Sequence, residues 1–200
     1  MPAAPPEEAA LPDPMIGPHT IEEWLHLPSP EDGSRVELVF GHFHVTPAPS
    51  GEHQLAVVGL VRPFEDSISA AGRTDLHPVF GVAVKISRAL RTGLIPDVVI
   101  MDRHPAGAAF PGGSLVLAAE VWSRGDTRNA REAKMVAYAA AGVPFVWTVE
   151  QSDNSTGLRL VAHRRQGGGY VAENIVDTAG RTTITAAPVP ITLDLADLVF

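Results

Sequence analysis

Three ionisable side chains stand where an apolar core is expected. Asp97 interrupts "LIPDVVIM" (residues 94–101), Glu120 interrupts "SLVLAAEVW" (114–122), and Lys134 lies within "REAKMVAYAAAG". A carboxylate buried without a partner is strongly destabilising or takes up a proton, so each acid needs a cation, a set of donors or a water-filled cleft. If the two apolar runs are neighbouring strands in register, the acids approach each other, and a divalent cation between them would relieve their repulsion. Lys134 fits the same picture. At a helical 100° per residue, Ala130, Ala137, Tyr138 and Ala141 fall within about 60° of it, so the lysine sits in the small-residue stripe that should pack on a sheet. A lysine aimed at a sheet calls for a carboxylate. Met135 and Val136 lie off this stripe, which leaves room for burial on a second side.

Two acids that hold a cation, with a lysine beside them, are the parts of a phosphodiester-hydrolysing site. The metal polarises a phosphoryl oxygen and lowers the pKa of water, while the lysine stabilises developing negative charge. Ligation by oxygen alone favours Mg²⁺ or Mn²⁺ over zinc. Each residue taken singly reads more readily as a capped or solvated polar group; the functional reading rests on the three together.

The elements that would position them follow from pattern. Residues 1–18 contain six prolines and little that could pack, so they read as a flexible acidic arm, with a single domain over 19–200. "HTIEEWLHL" reads as a short helix capped by Thr20 with Glu23 completing a capping box. "RVELVF" and "HFHVTP" alternate as a hairpin. A helix is expected from Glu52 to Ala71, kinked or shortened at Pro63. Strands follow at about 76–86, 96–101 and 115–122, then a helix over 127–141 that stops at Gly142 and Pro144. "PFVWTV" is the next strand; "LRLVAHRR", "GYVAEN" and "TTITA" read as a β-meander, and "LDLADLVF" as a short terminal helix. The order α-β-β-α-β-β-β-α-β-β-β indicates an α/β or α+β domain built on a mixed central sheet flanked by helices.

Composition bounds the chemistry. There is no cysteine, which excludes disulfides and thiolate metal sites. No basic leader with an apolar core and no membrane-length apolar run is visible, so a soluble, cytoplasmic protein is expected. The formal net charge is −8, yet Glu7, Glu8, Asp13, Glu22, Glu23, Glu31 and Asp32 lie in a segment without any Lys or Arg, and the body is close to neutral. Within that body Arg124, Arg128, Arg131 and Lys134 form a local basic patch suited to phosphate; a solvated helix face is the plainer reading.

The chain resembles the Uma-type restriction-endonuclease family, a group within the PD-(D/E)XK phosphodiesterase superfamily. The likeness runs from about residue 20 to 170 and is carried by "RVELVFGHFHVTPAPSGEHQLAVVGL", "IPDVVI", "LVLAAEVWS" and "REAKMVAYAAAGVPFVWTVE". It implies a restriction-endonuclease-like fold with Asp97 and Glu120 as the metal acids and Mg²⁺ or Mn²⁺ as cofactor. The superfamily's lysine usually stands two residues after the second acid, where this chain has Trp122; in this family it has moved to the following helix, which makes it Lys134. Glu37 matches a further acid approaching from the first strand, and His53 and Tyr138 match residues expected to support the site. Arg124, Arg128 and Arg131 would hold phosphate. The chain departs from the family pattern at His42, where the first hairpin usually carries Glu, and at Asn129, where an Asp is usual; each departure bears on activity rather than on metal binding.

The resemblance implies an endonuclease acting on nucleic acid, DNA foremost, as a homodimer because two strands need two sites. A second reading is a catalytically inactive nuclease-fold module that binds or regulates, consistent with the acidic charge. A third is a zinc site shared by His42 and His44, which alternate onto one strand face; two exposed histidines on a hairpin are the plainer account.

Overall fold

The computed structural model describes residues 17–123, 125–151 and 158–198. The arm expected over 1–18, Arg124 and the end of the chain from 199 therefore lie wholly or largely outside the described residues. The capping box at the start forms as expected. Thr20 Oγ1 accepts from the Glu23 N–H, and the Glu23 carboxylate accepts from the Thr20 N–H at 2.6 Å, opening helix α1 (Ile21–Leu25).

Trp24 of α1 fixes the first strand of the site. Its indole N–H donates to the Val36 carbonyl at 2.7 Å, within β1 (Arg35–Val39), which pairs with β2 (His42–Thr46) as the expected hairpin. The Trp24 ring packs against Gly93 in β5 (Thr92–Leu94), where a Cβ would collide with the ring carbons. Gly93→Ala is therefore expected to lower stability by about 1–3 kcal/mol, read as a shifted urea midpoint. An unchanged midpoint would mean that the Trp24 ring moves freely. β1, β2 and β5 join β4 (Ala83–Ser87) and β7 (Ala109–Pro111) in a five-stranded sheet of order β2-β1-β5-β4-β7.

The central sheet has six strands in the order β11-β10-β9-β8-β6-β3: β3 is His77–Phe80, β6 Val98–Met101, β8 Leu115–Val121, β9 Phe145–Gln151, β10 Leu158–Gln166 and β11 Gly169–Val176. β8 and β9 are parallel and the remaining pairs antiparallel, so the sheet is mixed. A parallel pair needs a crossover. Here it contains helix α3 (Arg128–Ala141), which Thr127 caps at one end and Gly142, at φ +80°, closes at the other. Helix α2 (Gly51–Ala70) covers the opposite face. The run "VVIM" is apolar throughout because both faces are buried: Val98 and Ile100 pack toward α2, Val99 and Met101 toward α3.

Several expectations are corrected. Pro63 does not shorten α2, which runs to Ala70; Leu60, Phe64 and Ile68 are buried on either side of it, and tertiary packing outweighs the lost N–H. The strand expected over 76–86 is broken at Gly81, whose φ of +61° turns the chain from β3 into β4, in the other sheet. The short strands β5 and β7 give no period long enough to read. The meander ends at β11; "RTTI" forms β12 (Arg181–Ile184), which pairs with β13 (Ile191–Asp194) as a separate two-stranded sheet. The terminal helix expected in "LDLADLVF" is instead the end of β13 and a 3-10 turn over Leu195–Asp197. Among the described residues no helix is long and apolar enough to cross a membrane.

Candidate active site

Strand parity decides which side chains meet. Antiparallel β6 and β8 pair Val98 with Ala119, so the register extended by one residue sets Asp97 opposite Glu120. Asp97 shares the α3-facing parity of Val99 and Met101, and Glu120 that of Ala118. Both acids thus turn toward the helix that carries Lys134. Glu37 joins them from β1, and a cleft of about 450 Å³ opens beside all four residues.

Lys134 Nζ lies 2.9 Å from Glu37 Oε2 and 3.1 Å from Glu120 Oε2. One turn on, the Tyr138 hydroxyl donates to Glu120 Oε1. Glu37 Oε1 accepts from the Ile95 N–H at 2.7 Å. Asp97 is held by three donors: Arg35 Nη1 at 2.8 Å and His53 Nε2 at 2.9 Å, both on Oδ1, and the Val121 N–H at 2.9 Å on Oδ2. The side chains of Glu37, Asp97 and Glu120 are only 5%, 6% and 4% exposed.

The two β6–β8 acids have opposite electrostatics. Burial alone would raise the Asp97 carboxyl, but the hydrogen bond and charge of His53, the Val121 N–H and Arg35 outweigh it and hold its pKa below the usual value. Burial raises Glu120, and the negative charges of Asp97 and Glu37 add to the effect; against the single ammonium of Lys134, the carboxyl is pushed up to about 7. Burial would lower Lys134, but Glu120 and Glu37 hold it well above the ordinary lysine range, so it stays an ammonium. Burial and the Glu120 charge likewise keep Tyr138 protonated.

Three buried carboxylates face two permanent cations, Lys134 and Arg35, and the raised Glu120 pKa reflects burial first and the neighbouring acids second. The donor set is entirely oxygen. Among the described residues no three His, Asp or Glu side chains converge into a closed metal cage. A hard divalent ion does not require one, since Mg²⁺ uses one or two carboxylates and completes its shell with water and substrate phosphate. Asp97 and Glu120 on adjacent strands fit that requirement.

Of the arginines expected at phosphate, Arg124 lies outside the described residues, and Arg128 and Arg131 take different positions. Arg128 is 89% exposed and pairs with Glu132 along the helix. Arg131 lines the cleft, but Nη1 donates to Glu150 at 2.6 Å, Nη2 donates to the Ser123 carbonyl at 2.9 Å, and the guanidinium lies 4.8 Å above the Trp122 ring. Trp122 and Arg131 thus brace the segment after Glu120. His42 and His44 are exposed on the edge strand β2, His44 opposite Glu37. Sequence reasoning missed Arg35. Its only signal was its position two residues before Glu37, which puts both on one strand face.

The family model described as Uma2, "Putative restriction endonuclease", matches residues 21–196. The fold is similar to that of a solved structure described as a putative nuclease belonging to DUF820 from Anabaena variabilis. The TM-score is 0.67 at 16% identity, over 90% of this chain and 97% of that one. No curated protein matches the sequence.

Proposed function

Since the chain belongs to the Uma2 family of putative restriction endonucleases, we propose that it is a metal-dependent endonuclease that hydrolyses the phosphodiester bonds of DNA. The observation that supports this most is Lys134 bridging Glu37 and Glu120 on the face to which Asp97 also turns, at the wall of an open cleft. Asp97 and Glu120 would hold Mg²⁺ or Mn²⁺. The ion would supply Lewis-acid polarisation of the scissile phosphate and a lowered pKa for the attacking water.

The chain's own groups do the rest. Lys134, always protonated, offers a fixed positive charge to oxygen atoms that gain negative charge, and it is no general base. Glu37 and Glu120 fix its position, and Tyr138 holds the Glu120 carboxylate in one orientation. Arg35, His53 and the Val121 N–H keep Asp97 ionised and aligned. A duplex presents two strands, so two chains would act together on it.

Incubation of the protein with plasmid DNA and Mg²⁺ or Mn²⁺ tests the reading. Nicking or linearisation that Glu120→Gln abolishes is expected; a folded protein that cuts neither duplex nor single strands with either ion would overturn it. A pH series adds a second expectation. A proton and a divalent cation compete for Glu120, so Mn²⁺ affinity should rise by up to about tenfold per pH unit below 7 and level off above it. An affinity flat from pH 5.5 to 8 would mean that Glu120 is no ligand or that its carboxyl is already ionised at pH 5.5.

A further inference from the structure

One cation at the cleft faces solvent with most of its donors uncommitted. Arg35 opens β1, and strand alternation sets it on the cleft-lining face with Glu37. Among the described residues its guanidinium makes one side-chain hydrogen bond, from Nη1 to Asp97 Oδ1 at 2.8 Å. The side chain is 24% exposed, and none of its nitrogens is both buried and unpaired. The remaining donors of the fork therefore open onto the cleft beside the acids.

The neighbouring cations are committed otherwise. Lys134 is enclosed between two carboxylates, Arg131 has both terminal nitrogens on protein acceptors, and Arg128 pairs at the surface. A guanidinium is always charged and presents five donors in a plane, so it can hold a carboxylate with one N–H and a phosphate oxygen with others. We infer that Arg35 is the residue that grips the nucleic-acid backbone at this cleft, bridging Asp97 to a phosphate next to the acids. His53 and the Val121 N–H keep Asp97 in place while Arg35 turns its free edge to the substrate. The inference rests on the nuclease reading and gives its substrate a point of attachment.

The test separates the two. Binding of a fluorescein-labelled duplex is followed by anisotropy across a KCl series in the Glu120→Gln background, which keeps the Arg35–Asp97 pair and in which no cutting is expected. Arg35→Gln should weaken binding roughly tenfold and flatten the slope of log K against log[KCl] by about 0.9. Arg35→Lys, which keeps the charge, should restore the slope. In the otherwise unaltered chain, His53 and the Val121 N–H still hold Asp97, so Arg35→Gln should retain Mn²⁺ binding; lost Mn²⁺ binding would show that Arg35 acts by positioning Asp97 and would overturn the inference. A folded Arg35→Gln protein with unaltered affinity and slope overturns the inference alone. A reference protein that does not bind the duplex, with a wild type that does not cut it, overturns the nuclease reading and the inference together.

Discussion

Replacing Lys134 by Met is expected to slow cleavage by about 10²–10³-fold and to remove about 3–5 kcal/mol of stability at pH 8. Methionine keeps the length and the apolar stem, so packing on the sheet persists and charge is the main loss. Among the described residues Lys134 is the one ammonium within reach of both Glu37 and Glu120, each almost fully buried. Without it two carboxylates remain in a low-dielectric pocket. The pH dependence identifies the cause. Glu120 has a folded pKa of about 7, above its ordinary value of 4.5, so its contribution to stability is full below 4.5 and is lost as pH rises through 7. Removing the ammonium pushes that carboxyl higher still, and acid relieves the defect by protonating it. Urea midpoints at pH 5.5 and 8 should therefore show a much smaller loss at the lower pH. Equal losses at both would mean that the lysine acts through packing.

Asp97→Asn and Glu120→Gln are each expected to reduce cleavage by at least about 10³-fold, yet to move stability in opposite directions at pH 8. Asp97 is a satisfied carboxylate: three donors favour its charge and keep its pKa depressed despite burial. The stability it contributes is present above its unfolded pKa and is lost as pH falls through the folded one. Asn forfeits that and leaves the Arg35 guanidinium without its counter-ion, so destabilisation of roughly 2–4 kcal/mol is expected. Glu120 is the reverse case, a carboxylate whose charge the folded protein resists. Gln removes that charge, keeps an acceptor for Tyr138 and leaves Lys134 paired with Glu37. The metal-free Glu120→Gln protein should be at least as stable as wild type at pH 8 and should lose the decline in stability around pH 7. Thermal denaturation of the three proteins across pH checks this. A Glu120→Gln protein as destabilised as Asp97→Asn would show that the acid is well satisfied without a metal.

Much of this site was legible because the residues broke a local rule. Asp97 and Glu120 stand in runs otherwise apolar throughout, and Lys134 stands in a stripe of alanines; the structure brings all three to one face. Glu37 and His53 needed the family resemblance, since an acid in an alternating strand and a His at a helix start have ordinary explanations. Arg35 carried no such signal. Its partner Asp97 is distant along the chain, and an arginine opening a hairpin strand looks like a solvated edge until the fold sets it on the cleft beside Asp97. The basic patch of α3 shows a related limit: three arginines close in sequence suggested one phosphate site, but closeness in sequence does not set where each guanidinium goes. Arg128 and Arg131 instead diverge, one to the surface and one onto Trp122, and Arg124 lies outside the described residues.

The fold was readable where periods were long, in α3, β8, β9 and the first hairpin. It was not readable where three-residue strands pair only by tertiary contact, as in β5 and β7. At Pro63 a local breaker is overridden by burial on both sides, and at Gly81 one residue with positive φ sends two halves of an apparent strand into different sheets.

The most direct test of the two-acid site is a calorimetric titration of Mn²⁺ into wild type and into the Asp97→Ala/Glu120→Ala protein at pH 8. Wild type should bind with a dissociation constant roughly in the micromolar to millimolar range, and the double variant, still folded, should not bind. A folded wild type that takes up no Mn²⁺ would contradict the account and leave the carboxylates as a structural network around Lys134.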